Sequence, residues 1–238
     1  MEGLIAHGGT QKMTRDQLVT IPAPDGTDTF KPIPHVQLVN SLVEGLSFRH
    51  LSVVRDEYAV SDDGLKLFGL LEIEAGFEGV RFALGIRNAN DKSMRLAMTV
   101  GYRVMVCDNM AFHGDFTPVL AKHSKHFNLV DAIDLGLGRM QRNFEPMQKQ
   151  VEGWRVSRVT DDAAKLLIYR AFIEGQLDAP KHLAGRVHSL YFDPKYPEFE
   201  PRTMWSVTNA FTSAIGELDP IPQFKVTAKL GGFLAQVN

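Results

Sequence analysis

The sequence predicts an α+β protein, with an antiparallel β-meander of about four strands followed by, and packed against, several helices. Three observations carry this. Between about residues 51 and 107, apolar runs of strand length alternate with turn signals. Beyond Phe127 the apolar period lengthens to three or four residues, the spacing of a helix face. The composition is that of an ordinary globular chain, 238 residues with 44% hydrophobic and 23% charged, which excludes a disordered tail, a collagen-like rod or a low-complexity array.

Residues 1–35 read as an extended N-terminal arm, and residues 36–238 as one α+β domain. Pro22, Pro24, Pro32 and Pro34 cannot continue a helix or a central strand. A helix is predicted from about Pro34, with Val36, Val39, Leu42, Val43 and Leu46 toward the core. Strands follow over Leu51–Val60, Leu65–Glu74, Val80–Arg87 and Leu96–Cys107. They are separated by Ser61-Asp-Asp-Gly64, Ala75-Gly-Phe-Glu-Gly79 and Asn88-Ala-Asn-Asp91. Connections this short favour antiparallel neighbours. The helical part spans about 127–217. Leu129, Ile133, Leu137, Met140, Phe144, Met147 and Val151 mark a long amphipathic helix, interrupted or kinked at Pro146. Thr160 is placed to cap a second helix carrying Ala164, Leu167, Ile168, Ala171 and Phe172. Asp178–Pro201, with four prolines, reads as a long irregular excursion, and a last helix covers about Thr203–Glu217.

A single cysteine excludes a disulfide scaffold and a multi-thiolate zinc site within one chain. No apolar run approaches the ~18–20 residues that span a bilayer, and Met1–Thr10 lacks the pattern of a signal peptide. A soluble protein of a reducing compartment, without membrane contact, is expected. The net charge of −2 conceals an uneven distribution. Residues 1–80 hold 6 Lys and Arg against 12 Asp and Glu, whereas residues 81–170 hold 14 against 9. The middle third is thus able to present a basic face to an anionic partner.

Phosphate-binding loops, dinucleotide fingerprints, nucleophile elbows and HExxH helices are absent. The densest polar cluster holds Cys107, Asn109, His113, Asp115, His123 and His126. His113, Asp115, His123 and His126 are suitable ligands for a divalent metal that would activate water on a phosphodiester. No other cofactor is called for. Cys107 ends an apolar strand, where a thiol is ordinarily a small buried hydrophobe rather than a nucleophile. Asn109 is suited to fixing a turn. Arg81, Arg87, Lys92, Arg95 and Arg103, with Lys122 and Lys125, suggest a phosphate track along the sheet. Arg81 with Arg87, and Arg95 with Arg103, share parity along their strands. Tyr102 and Phe112 are candidate platforms for unpaired bases. A solvated sheet face with core aromatics is the competing reading of the same residues.

Five blocks together resemble a known family. They are Met1-Glu-Gly-Leu-Ile-Ala-His, Phe82-Ala-Leu-Gly-Ile-Arg-Asn-Ala-Asn-Asp-Lys-Ser, Val104-Met-Val-Cys-Asp-Asn-Met, Lys122-His-Ser and Trp205-Ser-Val-Thr-Asn-Ala-Phe-Thr. The family is that of uncharacterised phage- and plasmid-borne proteins, labelled phage/plasmid-like, a domain of unknown function. The resemblance implies a mobile-element context in the cytoplasm of a bacterial host, and no catalytic assignment. Its motif positions here are Arg87, Asn88, Lys92, Ser93, Arg103, Cys107, Asn109, His123, Trp205, Asn209 and Thr212. Gly136, Gly138 and Pro146 depart from the long charged helix that the family often carries.

The function expected from sequence is a phage or plasmid nucleic-acid-handling protein. It would bind or anneal single-stranded DNA as a homo-oligomer, without catalysis, through Arg87, Asn88, Lys92, Arg95, Arg103, Lys122 and Lys125. Two alternatives stand beside it: an interaction protein that inhibits a host defence enzyme, and a metal-dependent phosphodiesterase.

Overall fold

The computed structural model describes residues 10–106, 110–112 and 119–235. The chain folds as two compact units, Met1–Tyr102 with Phe116–Asn143, and Arg103–Asp115 with Phe144–Asn238.

The first unit is built on an antiparallel sheet. Strand β1 (Thr10–Met13) pairs with β2 (Val53–Ser61), β2 with β3 (Lys66–Phe77), and β3 with β4 (Val80–Ala89). Strand β5 (Leu96–Val104) lies next to β4. β6 (Met110–Phe112) belongs to the second unit, while β7 (Val119–Ala121) pairs antiparallel with the start of β5, Leu96 opposite Ala121. The meander of four strands within residues 51–107 is therefore present as β2–β5. Two strands of three or four residues, β1 and β7, extend it. They are too short to show alternation in sequence.

Two glycines mark where this sheet is crowded. Register shifts between Glu72 and Gly76, and a Cβ on Gly76 would run into the Val80 carbonyl oxygen, a position only glycine fills. At Gly69 a Cβ would meet Ile86 and Tyr58 side chains at 2.8 and 2.9 Å, so the neighbouring strands pack into the space a side chain would occupy.

Helix α1 (His35–Phe48) buries His35, Leu38, Val39, Leu42 and Leu46, close to the predicted face, with Pro34 immediately before it. Helix α2 (Leu129–Val156) begins behind Asn128, whose Oδ1 accepts from the Val130 amide at 3.0 Å. Of the interruption or kink expected at Pro146, the interruption is absent, since the helix continues through that exposed residue. Ile133, Leu137 and Met140 are buried along the part of α2 that belongs to the first unit, and Met147, Val151 and Trp154 along the part that belongs to the second.

The second unit is helical. Helix α3 (Asp161–Ile168) is capped by Thr160, which accepts from the Ala163 amide at 3.2 Å, and passes into a π-turn at Tyr169–Ile173. Ala164, Leu167, Ile168, Ala171 and Phe172 are buried as their spacing predicts. The Asp178–Pro201 segment is more ordered than its prolines suggest. It contains α4 (Leu183–Phe192), which buries Leu183, Val187 and Tyr191, and a short 3-10 turn at Pro197–Phe199. Helix α5 (Met204–Ile215) is capped by Thr203, and a further helix, α6 (Pro220–Ala235), follows it. Phe211 stacks on Phe172 at 5.6 Å and leans on Phe233 at 6.2 Å, forming the aromatic centre of this unit.

Among the described residues no helix is long and apolar enough to cross a membrane.

Candidate functional site

The site lies in the first unit, where three stretches distant in sequence meet. Residues 27–31 run beside residues 122–125. The Lys31 amide donates to the His123 carbonyl at 3.1 Å, the Lys125 amide to the Thr29 carbonyl at 3.2 Å, and Phe30 and Ser124 form an antiparallel bridge. Two asparagines at the end of β4 hold Ile33 to the sheet. Asn90 Oδ1 accepts from the Ile33 amide at 3.0 Å, and its Nδ2 donates to the Ile33 carbonyl at 3.0 Å. Asn88 Nδ2 donates to the same carbonyl at 2.9 Å and to His35 Nδ1 at 3.0 Å. His35 Nδ1 is thus an acceptor, which leaves Nε2–H to donate to the Gly64 carbonyl at 3.0 Å. Burial of this neutral imidazole pushes its pKa below the ordinary histidine range.

The turn after β4 supplies the second wall. Asp91 Oδ1 accepts from the Ser93 amide at 3.0 Å and from its hydroxyl at 2.6 Å, and its Oδ2 pairs with Lys66 at 3.2 Å. Burial would raise the Asp91 pKa, but the Ser93 bonds and Lys66 hold it below the usual carboxylate range. Between Asp91 and Ser93, Lys92 sits at φ +66°, a left-handed backbone that costs a lysine about 1–2 kcal/mol and a glycine almost nothing. The strained lysine places its Nζ 4.9 Å from the Phe30 ring centroid.

The result is a cleft of about 440 Å³ lined by Thr29, Phe30, Lys92, Ser93, Met94, Arg95, Lys122, His123 and Ser124. That volume is within the usual range for small-ligand sites. Lys92, Arg95 and Lys122 are exposed cations, and none of the lining residues is a carboxylate. His123 is only 5% exposed and stacks on Phe30, with ring centroids 5.5 Å apart and planes 9° from parallel. Neither His123 ring nitrogen has a hydrogen-bond partner. Burial, then the neighbouring His35, lowers its pKa. The cleft thus brings three exposed cations together beside a buried imidazole, with no carboxylate among its lining residues.

The residues expected to form a sheet-wide track fall in different places. Lys92, Arg95 and Lys122 converge on the cleft, and Lys125 is exposed next to it in sequence. Asn88 is fully buried in the clamp on Ile33. Arg81 lies 3.7 Å from the buried Glu72, which Arg55 also approaches at 3.9 Å. Arg87 is half-buried and interacts with its surroundings, its pKa lowered by burial. Arg103 is 3% exposed, is engaged by interactions of its own, and belongs to the second unit. Tyr102 is 1% exposed, and burial raises its phenol pKa, so its ring is core rather than an open platform. Asn209 Nδ2 donates to the Trp205 carbonyl at 2.9 Å and Thr212 Oγ1 to the Thr208 carbonyl at 3.0 Å, both buried within α5. Their polar atoms satisfy their own helix.

Cys107, Asn109, His113 and Asp115 lie outside the described residues, as does the Phe112 side chain. His126 is exposed. Among the described residues, no group of three or more His, Cys, Asp or Glu side chains could hold a metal ion. Phe30 was not legible as a site residue. Its signal is a lone aromatic in a proline-rich stretch, and its role appears only once residues 27–31 pair with 122–125.

No curated protein and no solved structure matches this chain. A family model does, over residues 27–218, a span that begins just before Phe30 and contains every residue lining the cleft. The chain belongs to the family described as Domain of unknown function (DUF932).

Proposed function

We propose that the protein is a nucleic-acid-handling protein of a phage or plasmid, which binds single-stranded DNA through the Lys92–Arg95–Lys122 cleft without catalysing a reaction. One observation carries this reading: three cations with no carboxylate among the cleft's lining residues surround a stacked Phe30–His123 pair. Cations neutralise the backbone, and aromatic surface beside them accepts bases irrespective of sequence. Two of the blocks that resemble phage and plasmid proteins, Phe82–Ser93 and Lys122–Ser124, supply most of the cleft and its clamp.

The test is binding of oligothymidylate across a salt series. Three phosphate contacts give a slope of about −2 in log K against log salt for a single strand, or about twentyfold weaker binding between ~50 and ~200 mM. Replacing Lys92, Arg95 and Lys122 together by Ala should flatten that slope. No binding at the low-salt end refutes the proposal.

A further inference from the structure

Resting on the cleft as a nucleic-acid phosphate site, we infer that its preferred ligand is a nucleotide's terminal phosphate monoester, carried by a strand end or a free nucleotide, rather than an internal phosphodiester. Donors, charge and size all favour the monoester. An internal diester carries a single negative charge and two non-bridging oxygens. A monoester near pH 7 carries about −1.5 to −2, with three strong acceptor oxygens. The cleft offers Lys92, Arg95 and Lys122, the hydroxyl of Ser124 and the imidazole of His123, while the Ser93 hydroxyl already donates to Asp91. One diester unit would leave several of these donors unused.

His123 discriminates between the two ligands. It is buried, both ring nitrogens lack partners, and it lines the same cleft as the three cations. A buried polar group without a partner is costly, and for the one N–H of the neutral ring that cost is relieved when a ligand supplies an acceptor. A backbone track along an exposed face would need no such group, because water would satisfy it. The volume of about 440 Å³ suits one nucleotide rather than a length of strand. Phe30, in contact with both Lys92 and His123, provides the apolar wall for the attached sugar and base.

The experiment compares short oligothymidylates that are identical except for a 5′-phosphate, a 3′-phosphate or hydroxyls at both ends, with thymidine monophosphate, inorganic phosphate and a phosphoserine peptide as competitors. A phosphorylated strand should bind about tenfold more tightly than its hydroxyl twin, the value of one charge-assisted hydrogen bond. H123F should remove that preference, bringing phosphorylated and hydroxyl strands to equal affinity. H123Q, which keeps a donor and an acceptor, should retain part of it. Thermal unfolding of each variant shows whether it folds, and K122Q, at an exposed position, reads the same preference should H123F fail to fold.

Competition by the mononucleotide equal to that of the strand end supports the monoester site and names the free nucleotide as ligand; weaker competition assigns it to the strand end. Equal affinity for phosphorylated and hydroxyl strands overturns this inference while leaving single-strand binding intact. Failure of every strand to bind overturns both. Binding of the phosphopeptide in preference to every nucleotide also overturns it.

Discussion

Replacing Asn90 by Ala removes the two side-chain bonds that hold Ile33, the residue through which the Phe30 segment is tied to the sheet. The two losses differ. The Ile33 carbonyl keeps Asn88 Nδ2 at 2.9 Å, whereas the Ile33 amide loses its acceptor at a residue only 4% exposed. An orphaned buried donor costs about 1–3 kcal/mol, and loss of the second bond adds about 1 kcal/mol, so local stability should fall by about 2–4 kcal/mol. Both tryptophans, Trp154 and Trp205, lie in the second unit, so their fluorescence does not report this change directly. Native-state hydrogen exchange at the Ile33 amide does, and should accelerate roughly 30- to 700-fold. Oligonucleotide affinity should fall with it, because the Phe30 segment keeps only its pairing with residues 122–125. N90D retains the acceptor for the amide but brings a carboxylate oxygen against the Ile33 carbonyl, and should be no better than Ala at neutral pH. Exchange at Ile33 within about threefold of the parent would refute the assignment of the clamp.

Three further outcomes follow from the geometry. K92G and K92A both remove the cation and should weaken strand binding alike, but Gly should be the more stable by about 1 kcal/mol, since only it relaxes at φ +66°; equal melting behaviour would argue against strain at this turn. G76A drives a Cβ into the Val80 carbonyl and should cost about 1–3 kcal/mol or more in denaturant titrations, with β3–β4 amides losing exchange protection; an unchanged midpoint would refute the close approach. His35 is held neutral in the fold, so the unfolded chain takes up its proton first. Its contribution is complete above about pH 6.5 and is lost as pH falls below that value. Denaturation at stepped pH should show the decline, reduced in H35Q, and a flat profile in the parent would count against it.

Much of the fold was legible because its longer elements repeat their signal. The face of α2 recurs from Ile133 to Val151, and the cap of α3 is visible in Thr160 followed by two aspartates. Helix α4 was hidden between Pro180 and Pro194, and α6 starts at Pro220 and contains Gly231 and Gly232, so punctuation outweighed periodicity in both. At the site, the charge of Lys92, Arg95 and Lys122 could be read from the chain, but their convergence could not. Period two along a strand says which face a residue takes, not whether Arg81 meets Glu72 or Arg103 is buried. Phe30 and the burial of His123 depend on pairing between segments that no local pattern links.

That pairing bears on when the site comes into existence. The wall made by residues 27–31 and 122–125 depends on a contact between chain segments separated by the whole strand meander, and such a contact requires closure of a long loop. The sheet can form from neighbouring hairpins before it does. A chain emerging from the ribosome therefore holds its strands before it holds the complete cleft, which arrives only once Lys122–Lys125 has left the exit tunnel and found Thr29–Lys31. A kinetic assay that follows ligand capture during refolding should consequently lag behind the appearance of β-structure.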